Sequence, residues 1–295
     1  MIQVNMMKTV IRHLTPRIKI HVWGGFGSQL FALVMVWRIS SKYKHRRVRL
    51  VFHSSGVTER IRELPSEWLQ NVSFVEVRDF TNTPPSEKPS QSKIAVKLDK
   101  TRFLGILLFS GILARTNSDK EFNQLKPWVL EVRGHYSHLQ VNNVELSRLR
   151  TLIGIDLDAS EINCCSVHYR LGDLIHLESK SYIDPKRIQN ILNNNFDKNL
   201  PLHIFSDSNP NDVVKLIHNL LDENKASYFA LSPIETIKFC FNSREFLGTN
   251  SKISLWIAIF RLRGASGLTA IPFELQNHLN AQRNELTLQS KLVTY

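Results

Sequence analysis

The segment Ser166-Val167-His168-Tyr169-Arg170-Leu171-Gly172-Asp173 sets an imidazole and a guanidinium two positions apart. Residues two apart on a strand share a face, so His168 and Arg170 are expected to point the same way. Holding these two groups together at a strand end is costly unless something anionic lies between them. Arginine is the side chain best shaped to grip a diphosphate, through two parallel donors. A structural ion pair between Arg170 and Asp173 is the competing reading, and His168 taken alone reads as a core histidine. Two further segments offer polar groups. Ser206-Asp207-Ser208 ends an apolar stretch, and Asp207 can hold a nucleoside hydroxyl or a base edge. Thr249-Asn250-Ser251-Lys252-Ile253-Ser254 reads as a helix N-cap, with hydroxyls beside unpaired amides. Each alone could be plain capping. Together they would surround one cleft with groups suited to a nucleoside diphosphate.

A glycine turn, Gly24-Gly25-Phe26-Gly27, precedes Ser28-Gln29-Leu30-Phe31. Glycines between a strand and a helix let the backbone approach a ligand, and a helix N-terminus favours anions. A turn needed only for packing fits equally well. The turn lacks the full G-x-G-x-x-G spacing, and no Gly-Lys-Ser/Thr follows to make a P-loop. Asp156-Leu157-Asp158 has the D-x-D form of some metal-dependent sugar transferases, but two acids one apart are common by chance. The eleven histidines and three cysteines show no zinc-ligand spacing. No G-x-S-x-G elbow is present. The basic run Lys44-His45-Arg46-Arg47-Val48-Arg49 suits phosphates or a solvated helix end, without any nucleic-acid-binding signature beside it.

The elements that must position these residues alternate. A strand over Arg17 to Trp23 leads through the glycines into an apolar helix from Ser28 to Lys42. Further strands are expected at Val48 to His53, Val72 to Val77, Lys93 to Leu98 and Val129 to Val132. From Ile155 the order becomes regular: strand Cys164 to Tyr169, helix Pro185 to Asn195, strand Leu202 to Phe205, helix Asn211 to Leu221. Strand Ala226 to Leu231, helix Pro233 to Phe241, helix Ser251 to Arg261 and strand Gly267 to Ile271 follow. Such alternation predicts βαβ units and parallel sheets. The α/β reading is of two Rossmann-like domains facing a cleft, residues 1–155 and 156–295. The chemical segments fall at the carboxyl ends of strands, where open α/β sheets bind ligands.

The chain is long enough, at 295 residues, to bury a large core without disulfide or metal staples. Its 42% hydrophobic and 22% charged residues exclude disordered, collagen-like and coiled-coil classes. Three cysteines, two of them adjacent (Cys164 and Cys165), make a disulfide framework unexpected and favour a reducing cytosol. Lys plus Arg total 38 against 26 Asp plus Glu, a net charge of +12 that suits a polyanionic partner or simple solubility. The first twenty residues lack the features of a signal peptide. The apolar run Phe103 to Ala114 is too short to span a bilayer and is expected as a buried helix, with an interfacial helix as the other reading.

These segments, in this order, resemble the bacterial α-1,2-fucosyltransferase family. Its Gly-Gly-x-Gly-Asn-Gln-Leu/Met-Phe motif is matched by Gly24 to Phe31, and its His-x-Arg-Arg-Gly-Asp motif by His168 to Asp173. Phe205 to Ser208 and Thr249 to Ala258 match the later Phe-Ser-Asp and Ser-Asn-Ser-x-x-Ser-x-Trp-x-Ala phrases, and Val132 to Leu139 a further phrase more loosely. Two departures stand out: Ser28 replaces the usual Asn, and Leu171 the second Arg. The arginine more constant in the wider superfamily, which includes protein O-fucosyltransferases, is the one kept as Arg170.

The resemblance implies a GT-B fold, an N-terminal domain on the acceptor side and a C-terminal domain binding the nucleotide sugar. It implies inverting transfer of fucose from GDP-fucose to a glycan hydroxyl, without a metal or other cofactor. Donor binding would fall to His168, Arg170, Ser206, Asp207, Ser208, Thr249, Asn250, Ser251 and Ser254, with Gly25, Gly27 and Gln29 from the glycine motif. Arg170 would stabilise the departing diphosphate, and Asp173 or Glu178 would be the base. The acceptor would be a surface polysaccharide or lipid-linked oligosaccharide at the cytoplasmic face of the membrane, with peripheral contact to anionic lipid and no nucleic acid. A transferase of another nucleotide-deoxysugar, and a non-catalytic phosphate- or nucleic-acid-binding protein on the same fold, are the alternatives.

Overall fold

Apolar strands alternate with helices along the chain, and they assemble into two parallel sheets. The computed structural model describes residues 16–54, 62–70, 72–78, 102–171, 182–208, 211, 213–215, 217–218, 226–280, 282 and 291–295. The chain divides into two compact units, Met1–Gln140 and Val141–Tyr295.

In the first unit the strands are β1 (Ile18–Trp23), β2 (Val48–Ser54), β3 (Ser73–Arg78), β4 (Leu113–Arg115) and β5 (Glu131–Arg133). They lie in the order β3-β2-β1-β5-β4, and every pairing is parallel. Helix α1 (Phe26–Lys42) links β1 to β2, and Leu30, Phe31, Leu33 and Val34 are wholly buried along it. Ile18, Ile20, Leu50 and Phe52, from one face of β1 and β2, are buried as fully. Apolar alternation on the strands thus sets one sheet face inward, as the period of two demands.

The apolar run from Phe103 divides between helix α2 (Arg102–Ser110) and β4. Burial of that whole run is not what the structure has. Phe109 is 96% exposed and Ile106 59% exposed. Among the described residues no helix is long and apolar enough to cross a membrane. Helix α3 (Asp119–Asn123) follows β4. The strand expected over Lys93 to Leu98 lies outside the described residues.

The second unit holds β6 (Ile162–His168), β7 (Leu202–Phe205), β8 (Ser227–Phe229), β9 (Ser243–Gly248), β10 (Leu268–Ile271) and β11 (Lys291–Thr294). Their order is β11-β10-β9-β6-β7-β8, again all parallel. Helices α4 (Asn143–Ile153), α5 (Pro185–Asn195), α6 (Pro233–Asn242), α7 (Lys252–Leu262) and α8 (Gln276–Asn280) belong to this unit. The described residues of the helix expected from Asn211 are helical. Capping follows the sequence: Asn142 and Glu145 form a capping box on α4, Ser232 and Glu235 another on α6, and Gly154 ends α4 in the left-handed region at φ 78°.

The second core carries an unexpected charge. Arg261 on α7 is fully buried. It donates to the carbonyls of Cys240 and Phe241 at 2.9 Å, to those of Arg244 and Leu268 at 3.2 Å, and to Thr269 Oγ1 at 2.9 Å. The guanidinium therefore ties α7 to the end of α6 and to the strands β9 and β10. Burial pushes it down to about 10, still charged at neutral pH. Cys164, Cys165 and Cys240 are buried, free thiols.

Candidate active site

The register of the second sheet brings the sequence segments together. His168 pairs across with Phe205 on β7 and with Gly248 on β9, so three strands end at one level. The residues that follow them, Tyr169-Arg170, Ser206-Asp207-Ser208 and Thr249-Asn250-Ser251, leave the same carboxyl edge. That is where a parallel α/β sheet offers a ligand site.

Backbone hydrogen bonds lock the edge. The Thr249 hydroxyl donates to the His168 carbonyl at 2.9 Å and accepts the Arg170 amide, also at 2.9 Å. The Thr249 amide reaches both the His168 carbonyl and Ser254 Oγ at 3.1 Å. His168 Nδ1 lies 2.7 Å from the same Ser254 Oγ. Gly248 is needed for the approach of α7, since a Cβ there would stand 2.7 Å from the Ser254 Cβ. Ser251 caps α7, accepting the Ile253 amide at 3.1 Å. Tyr295 closes the outer side, its hydroxyl donating to the Gly248 carbonyl at 2.8 Å.

The nominated residues thus divide by exposure. His168, Ser206, Thr249, Ser251 and Ser254 are buried, Arg170 and Ser208 half-buried, and Asp207 and Asn250 exposed. Ser254 and Thr249 position this edge, where Arg170, Asp207, Asn250 and the first turn of α7 also lie. Gly172, Asp173 and Glu178 lie outside the described residues.

Electrostatics sharpen the picture. Burial, helped by the Arg170 charge and opposed by Asp207, pushes His168 down to about 4. The imidazole is neutral at physiological pH and serves as a hydrogen-bonding group. Among the described residues, positive charge at this edge comes from Arg170 and from Lys252, the first residue of α7. Lys252 is half-buried, and burial with the Arg170 charge added pushes it down to about 8. In the sequence Lys252 is hidden inside a capping phrase. Its signal was the placing of a cation in the first turn of a helix, where anionic side chains are the ones favoured.

Gly25, Gly27 and Gln29 belong to the first unit. Gly24 adopts φ 84°, which a side chain would strain, and Gly25 is the N-cap of α1. Gln29 is fully buried and its amide is committed to the fold: Nε2 donates to the Gly24 carbonyl at 3.0 Å, and Oε1 accepts the Glu63 amide at 2.8 Å. The Glu63 carboxylate accepts the Phe26 amide at 2.9 Å, so this helix start already holds an anionic group.

The same unit carries an array that the sequence did not signal. His21 Nδ1 lies 2.7 Å from His53 Nε2, and His21 Nε2 lies 2.7 Å from Glu131 Oε1. Arg133 donates to Glu131 at 2.8 Å, and Trp23 stacks on His53 at 4.6 Å. Burial would raise the Glu131 carboxyl, but hydrogen bonds from His21 and Arg133 outweigh it and hold the group down to about 2. Single histidines on β1 and β2 gave no hint of this pairing. It arises because His21, Trp23 and His53 share one face of adjacent parallel strands.

No three His, Cys, Asp or Glu side chains among the described residues group as a metal site. Asp156 and Asp158 are exposed in the turn between α4 and β6, at the amino end of the sheet. There the Asp158 amide donates to Asp156 at 3.0 Å. The D-x-D phrase is a turn at the opposite edge from the site.

No family profile matches this sequence, and no curated protein matches it. Among solved structures, the chain is similar to the E. coli heptosyltransferase WaaC with ADP, at 9% identity and a TM-score of 0.44, over 94% of this chain and 93% of that one. It is also similar to a glycosyl transferase of family 9 from Veillonella parvula, at 8% identity and a TM-score of 0.42, over 95% and 86% of the two chains. A sialyltransferase from Photobacterium damsela covers 95% of this chain and 82% of its own, at 7% identity and a TM-score of 0.31.

Proposed function

We propose that the protein is an inverting glycosyltransferase of the GT-B type, which transfers fucose from GDP-fucose to a glycan hydroxyl. The observation that carries this reading is the convergence of His168, Arg170, Asp207 and the capped start of α7 on one carboxyl edge, in the register of β6, β7 and β9. A half-buried guanidinium beside a helix N-terminus suits a diphosphate, and an exposed carboxylate such as Asp207 suits a nucleoside hydroxyl or base edge. The donor sugar and its nucleotide rest on the motif resemblance.

Mechanistically, the sugar–phosphate bond breaks as an acceptor hydroxyl attacks the anomeric carbon from the opposite face. Charge then grows on the leaving diphosphate. Arg170 and the α7 amides meet it without reorganising, the condition under which fixed dipoles lower a barrier most. The acceptor proton passes to a base, for which Asp173 and Glu178 remain the candidates. The first unit takes the acceptor, a surface polysaccharide or lipid-linked oligosaccharide at the cytoplasmic membrane face. The net charge of +12 favours both that anionic surface and the donor.

Incubation with a panel of nucleotide sugars and glycan acceptors tests the assignment. Release of GDP from GDP-fucose, with inverted fucose on the product, is the expected result. Turnover of another nucleotide-deoxysugar alone would replace the donor and keep the class.

A further inference from the structure

Lys252 stands where three electrostatic costs coincide. It is the first residue of α7, directly after the Ser251 cap, and so lies at the positive end of the helix dipole. It is half-buried. Its near charged neighbour is another cation, Arg170, whose amide is tied to Thr249 three residues before it. The first turn of α7 contains no acidic residue, and no acidic group among the described residues acts on Lys252. Among the described residues the other titratable groups at this edge are neutral His168, from the end of β6, Asp207, after β7, whose charge bears on His168, and the phenols Tyr228 and Tyr295, which donate to the Ser208 and Gly248 carbonyls.

A single change of circumstance reverses all three costs: a polyanion seated between the two cations. We propose that Lys252 is the second phosphate-binding cation of this site, gripping the same diphosphate as Arg170. The inference rests on the nucleotide-sugar reading and adds to it a residue that no motif names. The position following Arg170, where the resembling family carries a second arginine, is filled by Leu171, which is fully buried in the apolar core of the unit. A side chain pointing there cannot serve the edge. The missing charge is supplied instead from α7, one strand–helix turn away.

Burial and the Arg170 charge push the Lys252 ammonium down to about 8, so part of it is neutral in mildly alkaline solution. A bound diphosphate favours the charged form, and binding then takes up a proton. Affinity must fall as pH rises through that value, by up to roughly tenfold per unit.

Calorimetry of the full chain with GDP, and separately with inorganic pyrophosphate, between about pH 7 and pH 9 reads this directly. Lys252→Gln should bind both about 10- to 100-fold more weakly near neutral pH, with the alkaline fall abolished. Lys252→Arg should bind like the wild type near neutral pH and stay flat, because a guanidinium does not titrate there. Wild-type affinity and pH response in Lys252→Gln overturn the proposal. Should that variant not fold, a wild-type alkaline fall in Lys252→Arg overturns it equally. If the wild type binds neither probe, Lys252 and the nucleotide-sugar reading fall together. If it binds pyrophosphate through Lys252 but not GDP, the cation pair stands and the guanine nucleotide is withdrawn.

Discussion

Ser254 Oγ lies 2.7 Å from His168 Nδ1 while accepting the Thr249 amide at 3.1 Å, so one hydroxyl joins the end of β6 to the first turn of α7. Both side chains are buried, and the bond fixes the spacing between the Arg170 loop and the helix start. Ser254→Ala leaves the imidazole nitrogen and the amide without that partner. A loss of roughly 1–3 kcal/mol is expected by chemical denaturation. GDP affinity should fall with it, since the α7 cap loosens. Unchanged stability would mean that the hydroxyl is dispensable.

Acid sensitivity follows from His168. Its folded value of about 4 lies below the ordinary 6.5, so the unfolded chain binds more protons between those values. Stability is therefore complete above pH 6.5 and is lost as pH falls toward 4, by an amount on the order of 3 kcal/mol. Urea midpoints at stepped pH should show this decline in the wild type and a shallower one in His168→Gln. Equal slopes would remove His168 from the account.

Much of this was legible in the sequence, and the failures have local causes. β1, β2, β7 and β10 and helices α1, α5, α6 and α7 lie close to where alternation and capping placed them. β9 was missed although it lies beside β6 at the centre of the sheet. Its residues, Ser243-Arg244-Glu245-Phe246-Leu247-Gly248, place two charges directly after Ser243 and follow α6 with no intervening residue. The sheet buries Phe246 and Leu247 while Arg244 stays exposed. Missing β9 hid the reason that Thr249 meets Arg170. Arg261 was invisible for a similar reason: a last-turn arginine reads as a solvated helix end, and only the tertiary fold turns it onto carbonyls of α6, β9 and β10.

Arg261 therefore gives a strong stability prediction. Arg261→Met keeps the length of the side chain but leaves several buried carbonyls without a donor. Destabilisation of about 3–5 kcal/mol is expected, by the same denaturation measurement, with loss of soluble protein as the extreme. A thermal melt within a degree or two of wild type would show that the carbonyls find other donors.

Metal dependence separates two chemistries. With Arg170, Lys252 and the α7 amides at the edge proposed for the diphosphate, and Asp156 and Asp158 at the other end of the sheet, transfer should continue after exhaustive chelation. Loss of turnover with EDTA and recovery with manganese would move the catalytic charge to a metal.

The last prediction concerns Arg170. It is half-buried at the end of β6, its backbone is held by Thr249, and its charge is felt by both His168 and Lys252. In the proposed reaction this guanidinium meets the oxygens that gain charge as the sugar–phosphate bond breaks. Removing one such donor lowers turnover by about 100- to 1,000-fold. Arg170→Ala should show that loss together with weaker GDP binding. Arg170→Lys should recover little, because an ammonium cannot reproduce a two-pronged contact. A thermal melt near wild type is the control for folding, and the Thr249 hydroxyl can still bind the residue 170 amide in the variant. Near-normal turnover and GDP affinity in folded Arg170→Ala would make the residue structural, and the site assignment would go with it.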